Sequence, residues 1–416
     1  MTLWNPVWRV TIEGEIYTNF ALANMTITSG RTNIYEQAQA GYVSINLINL
    51  DQSPVNLNIN DSVTIELQDT SATFVPIFGG TVSDFTISVT ATGNIGINQT
   101  VSIIALGTIS RMQKALTEGV LANEHDGDQI LSLLQDLLLN NWSEVPAALT
   151  WATYDPTIDW AHAENVGLGE IDTPGNYDLD SRAAQQSDIY SLVAQCATSG
   201  LGYIYEDKYG NIGYADSTHR SSYLATTGYT DLDAAQALSN GLTVQTRAGD
   251  IRNSIVLNYG SNSANQTTAF TDAASIATYG QLGQVISTTL KNHTDADTQA
   301  AFYLTLRAYP QAMFNQITYE LTSPELDNGD RDSLINIFMG LPLRISNLPL
   351  NMAAGQYLGF VEGWSWTAAY NSVSVTILLS PLAYSIQAMA WQDVSVLEQW
   401  NTLSPTMDYA HALVVA

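Results

Sequence analysis

Two phrases in the chain, WATYDPTIDWAHA (residues 151–163) and WNTLSPTMDYAHA (400–412), share eight of thirteen residues, and each carries an Asp and a His. An imidazole beside a carboxylate is the minimum of a general-base or metal-binding site, so His162 and His411 are the first candidates for chemistry. The other histidines, His125, His219 and His293, lie in separate segments, and none has a partner at H-x-x-x-H spacing. No G-x-S-x-G elbow occurs, nor a Gly-rich loop ending in Lys-Ser or Lys-Thr. Cys196 is the single cysteine, which excludes disulfides within the chain. Its setting, SLVAQCATSG, places it on the apolar side of an amphipathic helix with no group nearby to lower its pKa, as a core thiol would be.

Two acidic clusters come next. ELDNGDRDS gathers Asp327, Asp330 and Asp332 around Gly329. It lacks the ligand spacing and closing Glu of an EF-hand, so a polar loop between strands is the favoured reading over an irregular calcium site. EHDGDQ, with Glu124, Asp126 and Asp128, reads as the acidic first turn of a helix. Glycan cleavage needs one carboxylic acid whose pKa is raised by apolar surroundings, and in so acidic a chain the sequence nominates no such pair. The expectation is a non-enzymatic chain with no catalytic residues, cofactor or metal.

The elements that must position these residues begin with strands. VWRVTIEGEIY, YVSINLINL, SVTIELQD, GGTVSDFTISVTA and TVSIIALG alternate with the period of two of a half-buried sheet, separated by Asn-, Asp- and Gly-rich turns. After Arg111 the texture turns helical. HDGDQILSLLQDLLLNNW sets Ile130, Leu133, Leu134, Leu137 and Leu138 on one face. RAAQQSDIYSLVAQCATSG does the same with Ile189, Leu192, Val193 and Cys196, with Gly200 as its stop. GYIYEDKYGNIGYAD reads as a hairpin. Strand texture returns at SIVLNYG (254–260), interrupted by a helix that starts at Thr294, is capped through T-D-A-D and ends before Pro310. NQITYELTS, GLPLRISNL, GQYLGFVEGWSWT and SVSVTILLS then make a second sheet.

The two sheets correspond. SVTI (62–65), GTVSDFTI (80–87) and VSIIAL (101–106) match in order PLRI (342–345), GFVEGWSW (359–366) and VSVTIL (373–378). The expected fold is therefore mainly β with an α+β insertion: two related antiparallel β-barrels and a short C-terminal tail. The divisions are 1–111, first barrel; 112–240, inserted α+β module; 241–385, second barrel; 386–416, a Trp-rich tail. Tyr and Trp at strand ends and in G-W-S-W read as core or interface anchors rather than sugar platforms.

Composition limits the partners. Forty Asp and Glu stand against thirteen Lys and Arg, three of them Lys, for a net charge of −27. Such a surface repels phosphate, which argues against tight binding of nucleic acid or anionic membrane. It suits either solubility or a wall past which DNA slides without sticking. No segment reads as a membrane span or signal peptide, so folding in a cytoplasm and no membrane insertion are expected.

Several phrases also resemble a known family. GR…AGYVSINLIN (30–49), the FGG-x-V turn and IIALGTISRM are similar to the first domain of siphophage minor tail proteins of the baseplate hub type. IRNSIVLNYG (251–260), S-I-x-x-Y-G (275–280) and LPLRISNLP…FVEGWSWT…VSVTILLSP resemble the second domain of those proteins, and GYIYEDKYGNIGYAD resembles the end of their inserted module. The resemblance covers roughly 1–385 and implies a homotrimer, similar to the central hub of contractile tails, in which two barrels per chain give six similar surfaces. It further implies a virion component at the tail tip, assembled in the host cytoplasm. Its neighbours would be a distal tail protein or tail tube, a tape-measure protein, and a central fibre or other tip protein, with DNA passing through the ring. Two other readings stand beside this one: a hexameric distal tail protein, and a cell-wall glycan-binding or glycan-degrading tip protein.

Against that frame the repeated phrase changes character. Its copies fall in the inserted module and in the tail, and each duplicates Trp, Pro and Thr that a catalytic site would not need. Trp151 with Trp160, and Trp400 with Tyr409, are expected as paired aromatic anchors of an assembly peptide, with Trp391 nearby.

Overall fold

A computed structural model of the chain describes residues 4–51, 53–91, 97–138, 171–236, 242–260, 264–311, 313–314, 316–350, 352 and 355–385. Both copies of the repeated phrase, with His162, His411 and the tail 386–416, lie outside the described residues.

The alternating segments form strands as expected: β1 Trp8–Ile12, β2 Glu15–Ile16, β3 Phe20–Gly30, β4 Tyr42–Asn49, β5 Ser62–Gln68, β6 Phe74–Ala91 and β7 Ile97–Leu106. In β4 the inward positions are Val43, Ile45 and Leu47, each almost fully buried. Burying side chains of this size stabilises the fold by roughly 1.5–3 kcal/mol each. After Leu106 the described chain forms helix α1 (Asp126–Leu138), helix α2 (Ile189–Ser199), the hairpin β8 (Tyr203–Glu206) and β9 (Ile212–Ala215), and helix α3 (His219–Thr227). Strand β10 (Thr230–Asp233) follows, then β11 (Ser254–Tyr259), β12 (Gly283–Ser287) and helix α4 (His293–Arg307). The last elements are β13 (Gln316–Glu320), helix α5 (Asn328–Ile335), β14 (Pro342–Ser346), β15 (Tyr357–Ala369) and β16 (Ser372–Pro381).

Twelve strands join in one sheet, in the order β2, β1, β5, β6, β7, β4, β3, β15, β14, β10, with β16 and β13 continuing from β15. Among the described residues neither half of this sheet closes on itself as a barrel. The edge that would close the first half, β3, pairs instead with β15, from Gly30↔Gly363 to Asn24↔Ala369. Strands β14 and β3 lie end to end along one side of β15, and β16 takes the other. The chain is thus mainly β, with a large and mostly antiparallel sheet and a few helices. Among the described residues no helix is long and apolar enough to cross a membrane.

The two three-stranded meanders, β5–β6–β7 and β14–β15–β16, share more than order. Ser62↔Thr81 and Val63↔Gly80 in the first match Pro342↔Phe360 and Leu343↔Gly359 in the second. Each central strand then slips register against the third: between Val82 and Asp84 in β6, and between Val361 and Gly363 in β15. These are corresponding positions of the two phrases. In the third strand the pairing slides the sequence match by two residues, so Val101 corresponds to Val375; a slip of two keeps the same face inward.

Other expectations need correcting. SIVLNYG lies outside the twelve-stranded sheet, in a four-stranded sheet of its own, where β11 pairs β12 in parallel, with α4 packed on it. Helix α4 starts at His293, and its N-cap Asn292 makes no side-chain cap bond; it instead donates to Asp295 Oδ2 and Asp178 Oδ2. Gly200 follows α2, but at φ −83° it is not the left-handed residue, which is Leu201 at φ 57°. Glycine is needed at 200 for space: a Cβ there would lie 2.5 Å from Asp126 Oδ2.

Candidate functional site: the junction around Glu362

The register slip in β15 turns Glu362 inward, where it is 1% exposed. A buried carboxylate is costly unless paired, and Glu362 is paired twice. Arg31, next after β3, donates Nε to Oε2 at 2.6 Å. Arg220, in α3, donates Nη1 to Oε1 and Nη2 to Oε2, both at 2.9 Å, a bidentate fork. Ser380 of β16 donates its hydroxyl to Oε1. Burial alone would raise the Glu362 pKa, but the Arg220 and Arg31 charges outweigh it and hold the group down at about 2. Burial would lower Arg220 in turn, but Glu362 and Tyr203 outweigh it and raise its pKa.

The backbone is equally close. Arg31 N donates to Glu362 O at 2.8 Å. Gly30, at φ +85°, and Gly363 face one another: a Cβ on Gly30 would come 2.4 Å from Glu362 O, and one on Gly363 would come 2.6 Å from Arg31 O. Tyr203 of β8 lies under both guanidinium groups, at 5.2 Å from Arg31 and 4.6 Å from Arg220, and Phe360 stacks on Arg220 at 4.8 Å. The GR phrase, the aromatic hairpin and the VEGW phrase therefore meet at one point. Residues separated by 331 and 142 positions in the chain form a single buried ionic lock across three parts of the molecule.

The hairpin has a second anchorage, on the first half of the sheet. Glu206 is held by the backbone N–H groups of Gly41 (2.8 Å) and Ile109. Burial pushes its carboxyl up to about 7 despite those bonds. A Cβ at Gly107 would strike this carboxylate, and one at Gly79 would strike the hairpin backbone at Tyr209. The turn is organised by Asp207, which accepts from Tyr209 N (2.9 Å) and Asn211 N (2.8 Å) and is raised to about 6 by burial. Gly210 supplies the φ of +86° that the turn requires.

The acidic clusters separate on inspection. ELDNGDRDS is not a loop: Asp327 caps α5 by accepting from Asp330 N at 2.8 Å. Asp330 accepts from Asp233 N at 3.0 Å, and Asp332 accepts from Thr70 N at 2.9 Å and from the Thr70 hydroxyl. Three carboxylates with three separate partners do not converge on a cation. Asp332 instead fastens a turn of the first half onto the second. In EHDGDQ, Asp126 and Asp128 form the acidic first turn of α1, whereas exposed Glu124 lies before the helix in a two-residue strand; Asp126 is fully buried. It accepts from Asn176 N and Tyr177 N, both at 2.8 Å, and from the Tyr214 hydroxyl, and burial pushes it up to about 6.

Each histidine among the described residues sits near an Asp: His219 Nδ1 lies 2.5 Å from Asp172 Oδ2, His125 lies 3.5 Å from Asp178, and His293 lies 3.3 Å from Asp297. Asp172 Oδ2 also accepts from Asp216 N, so the buried His219 pair braces the start of α3. Cys196 is buried beside Gln129, and burial pushes its thiol up to about 12. Among the described residues no group of three or more His, Cys, Asp and Glu could hold a metal ion. What the arrangement does chemically is hold backbone segments together.

Sequence comparison is silent: no protein-family model matches the chain, and no curated protein does. Solved structures do match. The 43 kDa tail protein of prophage MuSo2 from Shewanella oneidensis superposes with a TM-score of 0.55 over 91% of this chain and 99% of that one, at 11% identity. The tail protein from Neisseria meningitidis MC58 superposes with a TM-score of 0.56 over 92% and 98%, at 9% identity. The chain has the fold of these phage tail proteins.

Proposed function

We propose that the chain is a structural component of a phage tail, a baseplate hub protein that forms a trimeric ring between a six-fold tail tube and the tail tip. The observation that carries this reading is the pair of matching meanders, each with its register slip at the same place. Two related β units in each of three chains present six similar surfaces, which is what docking a three-fold ring on a six-fold tube requires. The α+β module, about 112–240, is inserted between the units, and its last strand, β10, pairs in parallel with β14 of the second. The neighbours are a distal tail protein or tail tube above, and a tape-measure protein and a central fibre or other tip protein below.

DNA passes through this ring without specific binding. Support comes from the charge balance and from where the cations go. Arg9 pairs with Glu66, Arg344 with Asp231, and Arg31 and Arg220 with Glu362. Arg331 and Arg182 donate to backbone carbonyls. The positive charge is largely engaged in holding the fold, which leaves the carboxylates to dominate the surface. The role is non-enzymatic: the buried carboxylates, His219 and Cys196 are engaged in packing. Native mass measurement of the purified protein tests the reading. A three-chain particle is expected; a six-chain particle would move the assignment to a distal tail ring. Release of soluble fragments from host cell wall would overturn the non-enzymatic part.

A further inference from the structure

A cavity of about 150 Å3 opens beside the junction, walled by the 31–37 loop, the hairpin module, α4 and the turn at Tyr384. Arg31, Arg220 and Arg307 all line it. The first two are answered by Glu362, whereas Arg307 is not. It is 5% exposed, its guanidinium lies over the rings of Tyr35 (4.4 Å) and Tyr384 (4.9 Å), and its Nε has no hydrogen-bond partner. Among the described residues no carboxylate forms an ion pair with it. Nε of Arg220, on the same wall, also lacks an acceptor. Arg331 shows what a buried arginine ordinarily receives in this chain: at 1% exposure it donates to the carbonyls of Leu321, Ser323 and Leu326 and to Asn328.

A buried guanidinium left without an acceptor is strongly unfavourable. Ring contacts of this kind use the face of a guanidinium, whereas its N–H groups point along its edge, where a ligand would bind. The charged residues lining the cavity are three Arg and Asp216; Glu362, beyond the lining, pairs with Arg31 and Arg220, and Asp216 already accepts from Thr218 N and Oγ1. With Glu362 counted against its two arginines, the balance is one positive charge, in a chain whose net charge is −27. The space is about ten times what one water needs by the same measure.

We propose that this cavity is an oxyanion site, in which Arg307 takes one small carboxylate or phosphate group through the edge of its guanidinium. The ligand neutralises the unanswered charge beside the lock that joins the two β units and the hairpin, so occupancy stabilises the folded chain.

The test is thermal unfolding of the full-length protein titrated with sodium phosphate or sodium acetate, at ionic strength held constant with sodium chloride. A saturable rise in Tm is expected with at least one of the two, and which one responds assigns the site to phosphate or to carboxylate. In Arg307→Met the half-saturating concentration should rise at least tenfold. No saturable rise with either anion, or an unchanged half-saturation in Arg307→Met, would overturn the proposal. Should Arg307→Met fail to fold, Arg307→Lys keeps the charge but loses the fork. A several-fold weaker response in that variant supports the site, and a response equal to wild type overturns it.

Discussion

In the meander β5–β6–β7 the residue at the register slip is Ser83, which faces solvent. In β14–β15–β16 it is Glu362, buried with two arginines and a serine hydroxyl. The residue after the slip differs in the same sense: exposed Asp84 in the first, Gly363 in the second, pressed against Gly30 of β3. One backbone irregularity thus serves two ends. In the first unit it only bends the strand, while in the second it delivers a charge and a bare backbone to the place where three parts of the chain meet. A related backbone can be kept while its side chains turn one copy into a junction, and the two units need not be interchangeable in stability.

The largest expected effect breaks that contrast directly. Glu362→Gln leaves Arg31 and Arg220 buried without their counter-charge and should cost about 3–5 kcal/mol of unfolding free energy. Ser83→Ala, at the matching position, should stay within about 0.5 kcal/mol. Urea titration of the two variants checks both. Next comes Gly363→Ala, where the added Cβ meets the Arg31 carbonyl. A loss of about 1–3 kcal/mol is expected, against a near-neutral Asp84→Ala.

Glu206 and Glu362 also predict opposite responses to pH. Glu206 titrates higher in the folded chain, near 7, than in the unfolded chain, so between about 4.5 and 7 the folded state binds more protons. Its contribution is therefore favourable at the acid end of that window and is lost as pH rises through 7, by on the order of 3 kcal/mol. Asp126 and Asp207, both raised to about 6, act in the same direction. Glu362 is depressed to about 2, so its contribution is present above about 4.5 and fades as pH falls below that. Glu206→Gln should flatten stability between pH 5 and 7.5, and Glu362→Gln should reduce the loss below pH 4.5. Unfolding free energies measured across pH 3–8 read both slopes, and an unchanged slope in Glu206→Gln would contradict the assignment.

A smaller effect belongs to Asp332, which crosses to Thr70. Asp332→Ala should cost about 1–2 kcal/mol, a charge-assisted bond that is only part-buried.

Much of this was legible in the sequence. Alternation gave the strands of both meanders, and the Asp-Lys-Tyr-Gly-Asn turn gave the hairpin, because both signals are local. The lock around Glu362 was not, because its partners are 331 and 142 residues away and nothing near Arg31 or Arg220 announces a carboxylate. Open pairing of β3 with β15 escaped for the same reason: period-two alternation says which face is buried, not which strand lies alongside. Helix α5 was missed because Asn-Gly-Asp-Arg-Asp has poor helix propensity. The Asp327 cap and burial of Arg331, Leu334 and Ile335 override that propensity.

The central claim is that two related units in each chain make a three-fold ring with six similar positions. Cryo-electron microscopy of the assembled particle, averaged without imposed symmetry, tests it most directly. The account predicts three chains, with β5–β6–β7 and β14–β15–β16 alternating around one ring at similar radius. Six chains in the ring, or the two meanders stacked at different heights along the axis, would contradict it.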